Sequence, residues 1–171
     1  FTIEYRKDLF ASVAESAHNI ADCNVDSGEY SSGTHLMSAA ARRHQITIFG
    51  GVVERSAHGS LYNSVAAYGP DGKMLAIYRK LHVSCVKAGV DHTAEADMFA
   101  AGHEGVSFGV PAARGANSDT WQPRVGLGIC FDLRFDLHRS YTRAASEPCQ
   151  ILAYPSAFLE STGKDHWELL L

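Results

Sequence analysis

Arg124-Val125-Gly126-Leu127-Gly128-Ile129-Cys130-Phe131-Asp132-Leu133-Arg134-Phe135 carries the clearest pattern in the chain. Val125, Leu127 and Ile129 alternate with two glycines, the pattern of a buried strand packed closely by its neighbours. The strand stops at Cys130, and the residues after it predict an immediate turn into a helix. Amides at a helix start, with the helix dipole, favour thiolate over thiol and can hold a developing oxyanion. A free cysteine is equally at home as a small core residue. Nucleophile and core residue stand level on this pattern alone.

Outward from it toward the C-terminus, a helix is predicted over about 132–145 and an apolar strand over 149–154, ended by Pro155. Strand, helix and strand with short links imply a parallel βαβ unit of right-handed crossover. Ligands collect at the carboxyl ends of such strands, where both Cys130 and the Tyr154-Pro155-Ser156 turn fall. Asp165, with Glu168 three residues on, resembles a capping box and predicts a helix starting there.

Upstream, 34–44 reads as a helix with Leu36, Met37, Ala40 and Ala41 on one face, and 46–53 as a buried strand. Strands over 61–68 and 74–79 are joined by Gly69-Pro70-Asp71-Gly72-Lys73, which makes them a hairpin. The segment 81–105 is long and irregular and carries His82, His92, Glu95, Asp97 and His103; loops of that length usually serve function. A second loop covers 109–123. Residues 1–33 are weakly patterned, with room for a helical turn or two in 1–17 and loop composition in 24–33. No internal repeat or second domain is visible, so the expectation is an α/β fold in a single domain spanning 1–171.

The chain has 171 residues, 46% hydrophobic and 20% charged, the balance of one soluble globular domain. A net charge of -4 argues against general affinity for nucleic acid or an anionic membrane. No apolar run reaches membrane-span length, and no signal-peptide pattern opens the chain. Cys23, Cys85, Cys130 and Cys149 are too few for a disulfide scaffold, which points to a reducing, cytoplasmic setting, with the mitochondrion as the alternative. The start at Phe1 and the finish at Leu169-Leu170-Leu171 both read as cuts, so the domain is expected to be incomplete at both ends.

A cysteine nucleophile needs a proton acceptor and a group that stabilises charge. None of the nine histidines stands in a recognisable protease context around Cys130. Close spacings such as Cys-x-x-Cys or His-Glu-x-x-His are missing, so no metal site is expected, and no glycine-rich phosphate loop is present. Lys80 follows Ile77-Tyr78-Arg79 at a strand end and can project into a cleft shared with Cys130. Position alone favours a solvated lysine there, and surface carboxylates at Glu95 and Asp97.

Three segments together resemble the nitrilase superfamily of carbon–nitrogen hydrolases. They are Tyr78-Arg79-Lys80-Leu81-His82, then Gly126-Leu127-Gly128-Ile129-Cys130-Phe131-Asp132-Leu133-Arg134-Phe135, then Tyr154-Pro155-Ser156-Ala157-Phe158 running into His166-Trp167-Glu168-Leu169-Leu170. Leu61-Tyr62-Asn63-Ser64 and Tyr68-Gly69-Pro70-Asp71-Gly72 are similar to the same family. The likeness covers nearly the whole chain, and its nearest branch is the Nit proteins, with ω-amidases and deaminated-glutathione amidases as the closest types.

The resemblance implies a nitrilase-type αββα sandwich, truncated here at both ends, with a glutamate–lysine–cysteine set and no cofactor. Cys130 matches the nucleophile and Lys80 the lysine. Glu95, seven residues before Gly102, matches the family's supporting glutamate. The main-chain N–H of Phe131 would join Lys80 in the oxyanion hole. The family's general-base glutamate lies in a Leu-Pro-Glu segment, which an ungapped alignment of 1–15 puts just before Phe1. Glu4 is no substitute, because Ile3 precedes it where proline is expected. Arg134 is a candidate cation for a distal substrate carboxylate or a helix-surface ion-pair partner, and Tyr5 a pocket-lining or a core residue.

The implied function is a thiol-dependent amidase that hydrolyses a small carboxamide, such as the ω-amide of a dicarboxylate, to a carboxylate and ammonia. A nitrile or an N-carbamoyl amine is the rival substrate, and a non-catalytic binding or assembly subunit the rival role. Without the upstream glutamate, residues 1–171 alone are expected to be inactive or nearly so. The partner implied is a small amide rather than a nucleic acid or a membrane, and pairing into a homodimer or larger assembly follows by analogy.

Overall fold

Two β-sheets pack against one another in the computed structural model of the chain, which describes residues 7–21, 32–87, 93–112, 121–142, 146–158 and 160–170. The first sheet holds β1 (Glu15–Ser16), β2 (Ile48–Arg55), β3 (Leu61–Tyr68) and β4 (Met74–Arg79) in that order. β1 runs parallel to β2, and β2, β3 and β4 are antiparallel neighbours. The second holds β5 (Val106–Gly109), β6 (Arg124–Leu127) and β7 (Ile151–Ala153). β5 is antiparallel to β6, and β7 is parallel to it, as the strand–helix–strand pattern predicts.

Period-two alternation along β3 explains the layering. Val65 and Ala67 face the second sheet and share a core with Tyr78, Phe108, Val125 and Leu127. Ala66 and Tyr68 face the other way, onto Ile20 of α2 (Ala17–Ala21) and Ala41 of α3 (Gly33–His44). A strand buried on both faces reads as a near-continuous apolar run, which Val65-Ala66-Ala67-Tyr68 is. On the far side of the second sheet lies α4 (Leu137–Thr142), whose Tyr141 hydroxyl donates to the Leu127 carbonyl at 2.6 Å. Helices, two sheets and a helix are the layers of an αββα sandwich.

Local signals set the element ends. Ser32 caps α3 by accepting from the His35 N–H at 3.3 Å, and Arg42, Arg43 and His44 complement the helix dipole in its last turn. The β3–β4 hairpin falls where its turn chemistry predicts, with Gly72 at φ 80 and the Gly69 N–H bonded to the Lys73 carbonyl at 2.8 Å. α1 (Lys7–Val13) supplies the helical turns expected in the N-terminal region, and Phe10 packs edge-on against Phe99. The loop reading of 24–33 lies outside the described residues up to 31.

Three expectations are corrected. The helix predicted over 132–145 is a five-residue 3-10 helix, Cys130–Arg134, followed by α4 from Leu137. Cys130 adopts φ 42, which an α-helix cannot continue from, and the Asp132 carboxylate turns back to bond the Ile129 N–H at 2.8 Å. The helix expected to open at Asp165 is α5 (Glu160–Leu170). Glu160 supplies the acidic first turn and pairs with Lys164 at 2.6 Å, which leaves Asp165 in the helix interior. Finally, β5 has no counterpart among the predicted strands, and Gly109 belongs to it rather than to the loop over 109–123. Four residues with two apolar positions carry too little pattern; the ladder to β6 makes it a strand.

Candidate active site

Cys130 is carried to the top of the second sheet by the β6–β7 ladder. That ladder runs on beyond β6, with the Gly128 N–H on the Ala153 carbonyl at 3.0 Å and the Cys130 N–H on the Pro155 carbonyl at 3.1 Å. The extension draws the Pro155-Ser156-Ala157 turn to the cysteine, as the carboxyl-end placement of both predicts. A non-glycine residue at φ 42 stores about 1–3 kcal/mol of backbone strain, which persists only where the surroundings over-determine it. Cys130 is half-buried, Cys85 is exposed and Cys149 is buried; all three are free thiols.

Lys80 leaves the end of β4 with its N–H on the Asn63 carbonyl at 2.9 Å, one rung beyond the β3–β4 register. Its side chain is only 4% exposed, not the solvated lysine that position alone favours. The amine donates to Glu95 Oε2 at 2.6 Å. Glu95 opens a 3-10 helix, Glu95–Asp97, and is itself 3% exposed. Its carboxylate also accepts from Asn63 Nδ2 at 2.8 Å and the Ser84 N–H at 2.9 Å. A buried carboxylate is tolerable when paired and fully hydrogen-bonded, and these donors meet that condition. Asp97 behaves as the solvent-facing residue expected, its Oδ2 accepting from the Ala94 N–H at 2.9 Å.

Gly102 locks the Glu95 loop to the lysine strand. Its N–H donates to the Lys80 carbonyl at 2.8 Å, and a Cβ at this position would run into the Arg79 carbonyl. Only a residue without a side chain allows that approach.

These elements enclose a cleft of about 290 Å³ lined by Lys80, Glu95, Asn63, Ile129, Cys130 and the Pro155-Ser156-Ala157 turn, among others. Cys130, Lys80 and Glu95 therefore share one cavity. Arg134 is not among the described residues lining it; its exposed guanidinium lies 5.6 Å from the centroid of the Phe131 ring, while the Lys80 amine lies 6.0 Å from that same ring. The Phe131 N–H falls ahead of the first turn bond of its 3-10 helix, Asp132 N–H to Ile129 carbonyl, so it has no acceptor within that helix. Tyr5 lies outside the described residues.

Sequence reasoning singled out neither Asn63, although Leu61-Tyr62-Asn63-Ser64 carried part of the resemblance, nor Asp132. Asp132 is fully buried beside Tyr78, which donates its hydroxyl proton to the carboxylate at 2.6 Å. Burial, then that hydrogen bond, pushes the Tyr78 phenol far above its ordinary range. Beneath the lysine strand, Glu54 is 1% exposed and accepts from Arg79 Nε at 2.9 Å and from Ser64 Oγ at 2.8 Å. That bond to Glu54 raises the Arg79 guanidinium further, and burial opposes it.

The family model described as Carbon-nitrogen hydrolase matches residues 11–171. The chain belongs to the carbon–nitrogen hydrolase family. Among curated carbon–nitrogen hydrolases, the omega-amidase NIT2 of Homo sapiens is 38% identical over 139 residues, 80% of this chain and 46% of that protein. The chain thus spans about half the length of the curated relatives it matches. Several solved structures share its fold. Saccharomyces cerevisiae Nit3, a member of branch 10 of the nitrilase superfamily, matches at TM-score 0.69 and 25% identity over 97% of this chain and 51% of its own. The C. elegans NitFhit protein matches at TM-score 0.65 and 25% identity over 99% of this chain and 36% of its own. The nitrilase-type fold that the family resemblance implies is the fold observed.

Proposed function

We propose that the protein is a thiol-dependent amidase that cleaves the C–N bond of a small carboxamide, the ω-amide of a dicarboxylate such as α-ketoglutaramate, to give a carboxylate and ammonia. One observation carries the reading: a buried lysine–glutamate pair and a strained, half-buried cysteine line the same small cleft. Similarity to omega-amidases supports the amide over a nitrile or an N-carbamoyl amine.

In the proposed reaction Cys130 Sγ attacks the amide carbonyl carbon as its proton passes to a glutamate, the one that the family resemblance puts upstream of Phe1. Among the described residues lining the cleft, Glu95 is the only carboxylate, and it is committed to Lys80, Asn63 and Ser84. Its role is to hold the Lys80 amine in position at the cleft. The carbonyl oxygen gains negative charge and accepts from Lys80 Nζ and the Phe131 N–H. Donors fixed in place before the charge develops are the strongest stabilisers of such a transition state. Collapse breaks the C–N bond, the nitrogen takes the stored proton and leaves as ammonia, and a thioester remains on Cys130. Water, deprotonated by the same glutamate, attacks the thioester; the carboxylate leaves and the thiol is restored. Pairing of two copies belongs to the same proposal.

Full-length protein incubated with α-ketoglutaramate, an N-carbamoyl amine and a small nitrile tests it. Ammonia from the first alone is the expected result. Turnover of either of the others alone moves the substrate assignment. No ammonia from any, with an intact upstream glutamate, overturns the reading in favour of a non-catalytic subunit.

A further inference from the structure

We propose that Asp132 is a positioning residue, one that holds the lysine arm of the site at a fixed distance from the cysteine turn. The inference rests on the amidase reading above and adds a residue to it. Two arms of the cleft come from different sheets: Lys80 from the end of β4, Cys130 from the end of β6. Something must set their separation, because the sheets meet through apolar contacts that tolerate sliding more readily than a hydrogen-bond network does.

Asp132 makes that link with both carboxylate oxygens. Oδ2 accepts from the Ile129 N–H at 2.8 Å, on the residue just before Cys130, and from the Tyr78 hydroxyl at 2.6 Å, two residues before Lys80. Oδ1 accepts from the His82 N–H at 3.0 Å and lies 2.7 Å from His82 Nδ1, two residues after Lys80. The Tyr78 hydroxyl in turn accepts from the Leu81 N–H at 3.1 Å. Lys80 is thus bracketed on both sides by residues tied to one carboxylate, and the same carboxylate is tied to the backbone that sets Cys130.

Two further facts separate this from ordinary core satisfaction. Asp132 is fully buried, yet neither lysine nor arginine pairs with it in the described structure; its partners are two amides, a phenol and an imidazole. The His82 ring is also fixed from its other side, stacked on Phe135 at 3.8 Å and 9°. Phe135 directly follows the 3-10 helix that Cys130 opens. The network closes a ring through both arms. Hydrogen bonds are directional where apolar contacts are not, so the ring fixes a distance rather than merely adding stability.

The test is steady-state kinetics on full-length Asp132→Asn and Tyr78→Phe, with thermal midpoints measured alongside. Asn puts an N–H₂ where one oxygen accepted, and Phe keeps the ring but drops both hydroxyl bonds. A displacement of Lys80 from the developing oxyanion lowers kcat by on the order of 10- to 100-fold while KM stays within about threefold, because the amine acts on the transition state. The inference predicts that split in both variants, at temperatures where both are folded. If Asp132→Asn does not fold, Tyr78→Phe decides. Wild-type kcat in the folded variants, or equal loss in kcat and substrate binding, overturns the positioning role. Absence of amidase activity in the wild-type protein is a different failure, that of the amidase reading itself.

Discussion

The Lys80 amine and the Glu95 carboxylate meet at 2.6 Å with both side chains almost wholly out of solvent. Breaking a buried ion pair by removing one partner leaves an uncompensated charge and costs about 3–5 kcal/mol. Lys80→Met therefore lowers the unfolding free energy by about that amount, measured by urea denaturation, and lowers kcat by about 10²–10³-fold through loss of an oxyanion donor. A variant with near-wild-type turnover removes Lys80 from the mechanism.

Glu95 is expected to act only through that lysine. Glu95→Gln keeps the shape but removes the charge and puts an N–H₂ where one oxygen accepted, which weakens the hold on the amine. Its kcat should fall less than that of Lys80→Met, and combining the two substitutions should cost less than the sum of the single losses, since residues in one ion pair are not additive. Full additivity in kcat would show that the two work independently.

Gly102 tests the geometry that brings the Glu95 loop onto the lysine strand. Gly102→Ala places a methyl against the Arg79 carbonyl, which is backbone rather than the far end of a flexible side chain. Overpacking of this kind costs about 1–3 kcal/mol. The expected result is a lower thermal midpoint together with reduced kcat, because the strand that shifts carries Lys80. An unchanged midpoint would mean that the loop is free to move.

Stability should fall in alkali, with Tyr78 as a principal cause. Burial, then the bond to Asp132, raises its phenol above the ordinary value, and burial raises Tyr141 and Tyr154 in the same direction. Below about pH 10 the phenols are protonated in folded and unfolded chains alike and the contribution is intact. Above it the unfolded chain releases protons that the folded chain keeps, so stability declines as pH rises toward the folded values. Urea midpoints measured below and above about pH 10 should fall more steeply for wild type than for Tyr78→Phe. Identical slopes would contradict the assignment to Tyr78.

Much of this fold lies on the surface of the sequence. The β3–β4 hairpin is marked by two β-rich runs and an unmistakable turn, and both strands span the residues expected, 61–68 and 74–79. The parallel β6–β7 pair follows from the Cys130 strand and the apolar run before Pro155. β5 and the 3-10 helix at Glu95 are invisible for a shared reason: each is short and is held by partners distant in sequence rather than by its own pattern. The cysteine turn misleads in a more specific way. Asp132-Leu133-Arg134 reads as helix by propensity, but Asp132 spends its carboxylate on Tyr78, Ile129 and His82, and the left-handed Cys130 forbids a regular first turn. At the site, residue type and strand-end position bring Cys130 and Lys80 to attention. The burial of Lys80 and Glu95, and the part played by Asn63, depend on packing between segments that no local pattern reports.

Alkylation by iodoacetamide in the full-length protein shows whether Cys130 is an activated nucleophile. Accessibility alone puts exposed Cys85 first, half-buried Cys130 second and buried Cys149 last. An activated thiolate inverts the first two, so Cys130 should carry the label before Cys85, Cys149 and Cys23, and excess substrate should slow it. Labelling led by Cys85, with Cys130 no faster than accessibility allows, would mean that Cys130 is not the nucleophile.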